Sequence, residues 1–159
     1  MTISLATALV LSLLIGIVAG LRSMTAPAAV SWAARMRWLD VAPNSLAFLG
    51  FAYTPWILTV LALAELVADQ LPTTPSRKAA GPFGARILSG ALSGAAIGAS
   101  RGSLLAGMVA GILGAVIGTV GGYAFRARLA SAFGRDRPAA FIEDVIAIGG
   151  AFLIVMPVR

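Results

Sequence analysis

Four of the six acidic side chains in this sequence fall inside segments that are otherwise apolar. Glu65 and Asp69 stand four residues apart in LALAELVADQLPTTPSR, residues 61–77, so a helix presents them on one face. Glu143 and Asp144 fall in the second turn of a helix expected to begin at Pro138. Ionisable groups in apolar segments are costly and are usually kept for a function. Burial favours the neutral form of a carboxyl, and a nearby guanidinium favours the charged form. Glu65, Asp69, Glu143 and Asp144, with Arg22 and Arg86 as partners, are therefore expected to bind a proton or a cation. Blander roles stay open: a place in the headgroup layer, an acid complementing a helix N-terminus, or a structural ion-pair network.

A second constellation follows directly. Thr73, Thr74, Ser76, Arg77 and Lys78 put hydroxyls and cations on a turn stiffened by Pro72 and Pro75. Such a loop could hold a phosphate, or could simply be a solvated connection. With Glu65 or Asp69 as a base or metal ligand, the loop would suit an enzyme acting on a lipid phosphate. No recognised catalytic motif and no nucleophile–base pair supports that chemistry. The chain has no Cys and no His, which removes disulfides, thiolates, imidazole mechanisms and Cys/His metal sites. No cofactor is implied, and no metal can be assigned.

The elements that position these groups are those of a membrane protein. The 159 residues are 59% hydrophobic and 11% charged, with net charge +6 and mean hydropathy +0.94. A soluble domain carries roughly 25% charged residues. In a soluble protein this basic balance would suggest nucleic acid. Here the arginines punctuate apolar spans, so the expected partner is a bilayer with anionic headgroups and not nucleic acid. One integral membrane domain fits the length. The N-terminal apolar run lacks a basic leader and continues to Leu21, so it reads as a retained first span.

Five spans are expected, at about 3–21, 45–68, 82–100, 103–125 and 138–155. Gly16 and Gly20 give the first a small-residue face. After it, Thr25-Ala26-Pro27 starts a helix to about Trp38, too short to cross, carrying Trp32, Trp38, Arg35 and Arg37. It is either an interfacial helix or a re-entrant half-helix whose N-terminus faces a polar cavity near Arg22. In the second span Pro55 marks a kink or the true start. Gly90, Gly94, Gly98 and Gly102 recur every four residues in the third span. Gly107 with Gly111, then Gly114, Gly118 and Gly122, repeat the device in the fourth. These two should close as a glycine-rich antiparallel hairpin, by packing alone or around a pore. Residues 126–137, with Arg126, Arg128, Arg135 and Arg137, read as a loop anchored at headgroups.

An odd number of spans puts the two ends of the chain on opposite sides. Arg22, Arg35, Arg37, Arg101 and Arg159 fall on one side. Arg77, Lys78, Arg86, Arg126, Arg128, Arg135 and Arg137 fall on the other, which the larger basic count favours as cytoplasmic. The near balance also permits insertion both ways, and so an antiparallel homodimer. A faint internal echo links Gly20-Leu21-Arg22 to Gly84-Ala85-Arg86, each leading to a pair of acids. Transporters built from inverted repeats place their sites where the repeats meet.

Four blocks carry a resemblance: GLRSMTAP after the first span, ELVADQLP at the end of the second, GPFGAR followed by SGAL, and IED in the last. Together they resemble a bacterial domain-of-unknown-function family of small integral membrane proteins (family 4126). ELVADQLP is the most specific block; the family often has a basic residue after its aspartate, where this chain has Gln70. The resemblance implies residence in the bacterial inner membrane and brings no activity with it. From the residues, a proton- or cation-linked transporter or channel-like protein is expected. A non-catalytic scaffold and the lipid-phosphate enzyme are the alternatives.

Overall fold

The computed structural model describes residues 4–41, 45–69 and 79–156. Six α-helices follow in order: α1 (Leu5–Leu21), α2 (Thr25–Arg35), α3 (Thr54–Ala68), α4 (Ala80–Ala99), α5 (Leu104–Phe133) and α6 (Asp136–Val155). A short 3-10 turn, Ala47–Gly50, precedes α3. No strand occurs among the described residues.

The centre of the bundle is backbone against backbone. α4 and α5 run antiparallel, with Gly90 opposite Gly111, Gly94 opposite Gly107 and Gly98 opposite Ser103. A Cβ on Gly90 would sit 2.6 Å from the Gly111 carbonyl oxygen, closer than a methyl carbon and an oxygen can approach. α1 lies parallel to α5 and uses the same device. A Cβ on Gly20 would sit 2.5 Å from the carbonyl oxygen of Ala115. Small residues at four-residue spacing make this closeness available. Hydroxyls complete it: Ser12 Oγ donates to the Gly94 carbonyl at 3.0 Å, and Thr119 Oγ1, which bonds the Ala115 carbonyl of its own helix at 2.8 Å, also reaches the Gly20 carbonyl of α1 at 3.3 Å. Ile15, Val18 and Ile97 fill what space remains.

Helix ends differ from expectation in instructive ways. The segment from Arg126, expected as a loop, continues α5 to Phe133. RARLASAF contains no helix breaker, and α5 stops only where Gly134 adopts φ 64°. The second expected span is divided at Pro55, which sits in the first turn of a 15-residue α3. At about 1.5 Å per residue that helix rises only about 22 Å.

α2 turns back on α1 immediately. It is not laid against the outside of the bundle: eight of its 11 residues are buried, and it packs against α1, α3, α4 and α6. Arg37, at φ 60°, closes its far end; Trp38 N donates back to the Ala33 carbonyl at 2.9 Å. With this return, α3 runs in the same direction as α1, its Asp69 ending beside Arg22, where the sequence predicts spans that alternate. α1 and α6 are antiparallel, with Arg22 beside Asp144 and Gly150 beside Val18. Leu5 and Val155 therefore lie at the same end of the bundle, not at opposite ends.

Two helices, α5 and α6, are long and apolar enough to cross a membrane; α1 and α3 are shorter apolar helices. The outer faces carry large apolar side chains in the open, among them Leu88, Leu105, Ile117, Phe141 and Leu153.

Candidate functional site: a buried ion-pair cluster

The helix directions bring five charged stretches to one end of the bundle. They are the ends of α1 and α3, the start of α4, the late part of α5 and the start of α6. Arg22 is at the centre. It follows α1 directly, its N–H closing the last turn on the Val18 carbonyl at 2.8 Å. The chain then leaves the helix extended, and the Arg22 side chain is wholly buried. A guanidinium in that position needs anions. Nη1 pairs with Asp69 of the α3 terminus, and Nη2 with Asp144 of α6.

Glu65, one turn before Asp69, does something different. Its Oε1 accepts the N–H and the hydroxyl of Ser23, each at 2.8 Å, and its Oε2 accepts the Met24 N–H at 2.8 Å. No side chain of α2 caps its own N-terminus; Glu65 supplies the cap from another helix. Thr25, expected as that cap, is the first helical residue instead. Arg86 performs the converse service. Its Nη1 donates to the carbonyls of Gly20 and Leu21, at 2.8 and 2.6 Å, at the C-terminus of α1. An anion at a helix start and a cation at a helix end are both favoured by the dipole. The two caps themselves approach to 3.8 Å, Arg86 Nη2 to Glu65 Oε1.

Glu143 is almost fully buried on the neighbouring face of α6. Arg126 reaches it at 3.6 Å while holding Asp136 through Nε and Nη2, at 2.9 and 2.5 Å. The structure thus brings Glu65, Asp69 and Asp144 together with Arg22 and Arg86. Glu143 pairs with Arg126, a residue that the sequence places among the headgroup anchors. The spacing held a signal for it: Gly114, Gly118, Gly122 and Arg126 recur every four residues and share a helix face. Arg86 continues the strip of Gly90, Gly94 and Gly98 in the same way. Ser23 and the Met24 amide carried no comparable signal.

Among the described residues, no group of three or more acids is placed to hold a metal ion. Thr73, Thr74, Ser76, Arg77 and Lys78 lie outside the described residues, and so does the anion-site expectation that rests on them.

α3 is joined to the rest of the molecule sparingly. It packs on α2 and on the 3-10 turn, and hardly at all on α6. Arg22 therefore bridges two helices that do not otherwise close on each other. No family model matches this chain, and no curated protein or solved structure shows detectable similarity to it.

Proposed function

We propose that this chain is a small multi-pass protein of the bacterial inner membrane that moves a proton or a small cation, using the Arg22 cluster as its site. In this reading α1, α3, α4, α5 and α6 cross the bilayer, and α2 with the chain up to α3 makes the return pass. The exposed arginines Arg128, Arg135 and Arg137 then meet anionic headgroups at the cluster end.

The observation that carries the reading is the double pairing of Arg22 with Asp69 and Asp144 across the gap between α3 and α6. Protonating either carboxylate, or seating a cation on it, removes one half of the bridge. The position of α3 would then depend on the occupancy of the site, which is the coupling a carrier needs. A short α2 whose N-terminus faces the cluster supports the same reading, since discontinuous helices form such sites in transporters.

The test is a pH jump on proteoliposomes containing purified protein and an internal pH dye, run with a panel of cations. Flux is expected in the parent and lost in Asp69→Asn and Asp144→Asn, both still folded. Absence of flux in the parent, or equal flux in both variants, would sink the proposal.

One observation favours a second reading, a non-catalytic scaffold. Glu65 and Arg86 are engaged in capping helix ends, a structural use of charge. In that case replacing Arg22, Asp69 and Asp144 together by apolar residues would leave cellular function intact.

A further inference from the structure

The gap between α3 and α6 is a half-open cleft of about 400 Å3, with α2 as its floor. Leu63 and Leu66 form one wall, Ile148 and Phe152 the other, and Ala29 and Trp32 line the floor. Almost nothing polar faces it. The Thr59 hydroxyl is taken up by Trp32 Nε1 at 3.0 Å and the Pro55 carbonyl at 2.7 Å. Water in such a place lacks the two to four polar partners that hold buried water. The volume is in the range of small-ligand sites, roughly 300–1,000 Å3. It is too small for a helix from a second copy, since one turn about 10 Å across and 5.4 Å tall would occupy it entirely.

Two features indicate what fits. The rim is continuous with apolar surface: Leu63, Ile148 and Phe152 are each about half exposed, at 56%, 49% and 54%. The upper end is closed by charge, because Leu66 and Ile148 stand about one turn from Asp69 and Asp144, and both acids are held by Arg22. A flexible hydrocarbon entering sideways would meet only apolar atoms until it reached that bridge. On the membrane reading above, we infer that the cleft between α3 and α6 holds one hydrocarbon chain of a bilayer lipid, ending beneath the Arg22 bridge.

Tryptophan reports on this directly. The chain has three. Trp32 and Trp38 line the cleft, while Trp56 stacks edge-on against Trp32 at 5.0 Å and is 61% exposed. In Trp56→Phe only the two cleft indoles remain. That protein is reconstituted into vesicles of a phosphatidylcholine brominated on its acyl chains, and into unbrominated vesicles as reference. Bromine quenches an indole at contact range, so emission should fall in the brominated vesicles. Filling the cleft from the floor with Ala29→Phe, or from the α3 wall with Ala62→Phe, should clearly reduce that quenching, since the added ring takes the volume the hydrocarbon would fill. Unquenched emission in Trp56→Phe overturns the inference without any filled variant. Equal quenching in the folded Ala29→Phe and Ala62→Phe proteins overturns it as well. Vesicle flotation on the same samples reads membrane residence separately: protein that fails to float sinks the membrane reading, whereas floating protein with unquenched indoles sinks only the cleft.

Discussion

Arg22 and Asp144 are paired across the α1–α6 contact, and the same guanidinium holds Asp69, 47 residues from it in sequence. One buried cation thus ties the end of α1 to the end of α3 and the start of α6. Removing it while both acids remain should be far worse than removing the whole set. Arg22→Met is expected to cost about 3–5 kcal/mol. The triple variant Arg22→Met, Asp69→Leu, Asp144→Leu should recover most of that loss. Melting temperatures of purified protein in detergent check it; an Arg22→Met protein as stable as the parent would contradict the assignment.

The bridge should also set the spacing of α3 from α6. Because the chain has no cysteine, Leu63→Cys and Phe152→Cys can carry spin labels at two exposed sites on the cleft rim. The distance distribution between them should be narrow in the parent and broader in Asp69→Asn with Asp144→Asn. An unchanged distribution would mean that packing on α2 and the 3-10 turn, with the bonds made by Glu65, holds α3 in place.

Glycine positions divide sharply. A Cβ on Gly111 would collide with the Gly90 carbonyl, and Gly16 presses on the same residue from α1. Gly111→Ala should therefore destabilise by about 1–3 kcal/mol or more, as over-packing does. Gly121→Ala, on the same helix with nothing within 4 Å, should be neutral or stabilise by up to about 1 kcal/mol. Thermal melts of the two variants side by side would decide it; equal effects would rule out close helix approach at Gly111.

Arg37 sits in the left-handed region at φ 60°. A side chain there costs roughly 1–2 kcal/mol relative to glycine. Arg37→Gly gives part of that back as extra freedom in the unfolded chain, so a gain of up to about 1 kcal/mol is expected, seen as a higher melting temperature. A lower one would show that the Arg37 side chain contributes more than its backbone costs.

The helices themselves were legible because apolar runs and prolines mark them: α1, α4 and α6 start and stop within about two residues of where their composition changes. What misled was the treatment of charge as a boundary. Arg126 ended the expected span, yet nothing in the following residues breaks a helix. The inward direction of Arg86 and Arg126 could have been read from the glycine strips they extend. The course of α2 could not. Its length showed that it does not cross alone, but its return depends on a cap supplied by Glu65, a contact 41 residues distant. That Arg22 partners these acids is expected from the sequence; that it takes Asp69 and Asp144 together, one from each half of the chain, arises only when α1, α3 and α6 meet.

The glycine contacts between α1, α4 and α5 have a consequence for how this protein can change. A core made largely of backbone has almost no rotamers to freeze, so its assembly forgoes little side-chain entropy. It also cannot be re-tuned as leucine-filled cores can, by trading one shape for another. At Gly16, Gly94 and Gly111 every substitution adds atoms where a neighbouring carbonyl already stands. Variation is therefore channelled outward, to the exposed faces and to the ends, while the three-helix centre stays fixed.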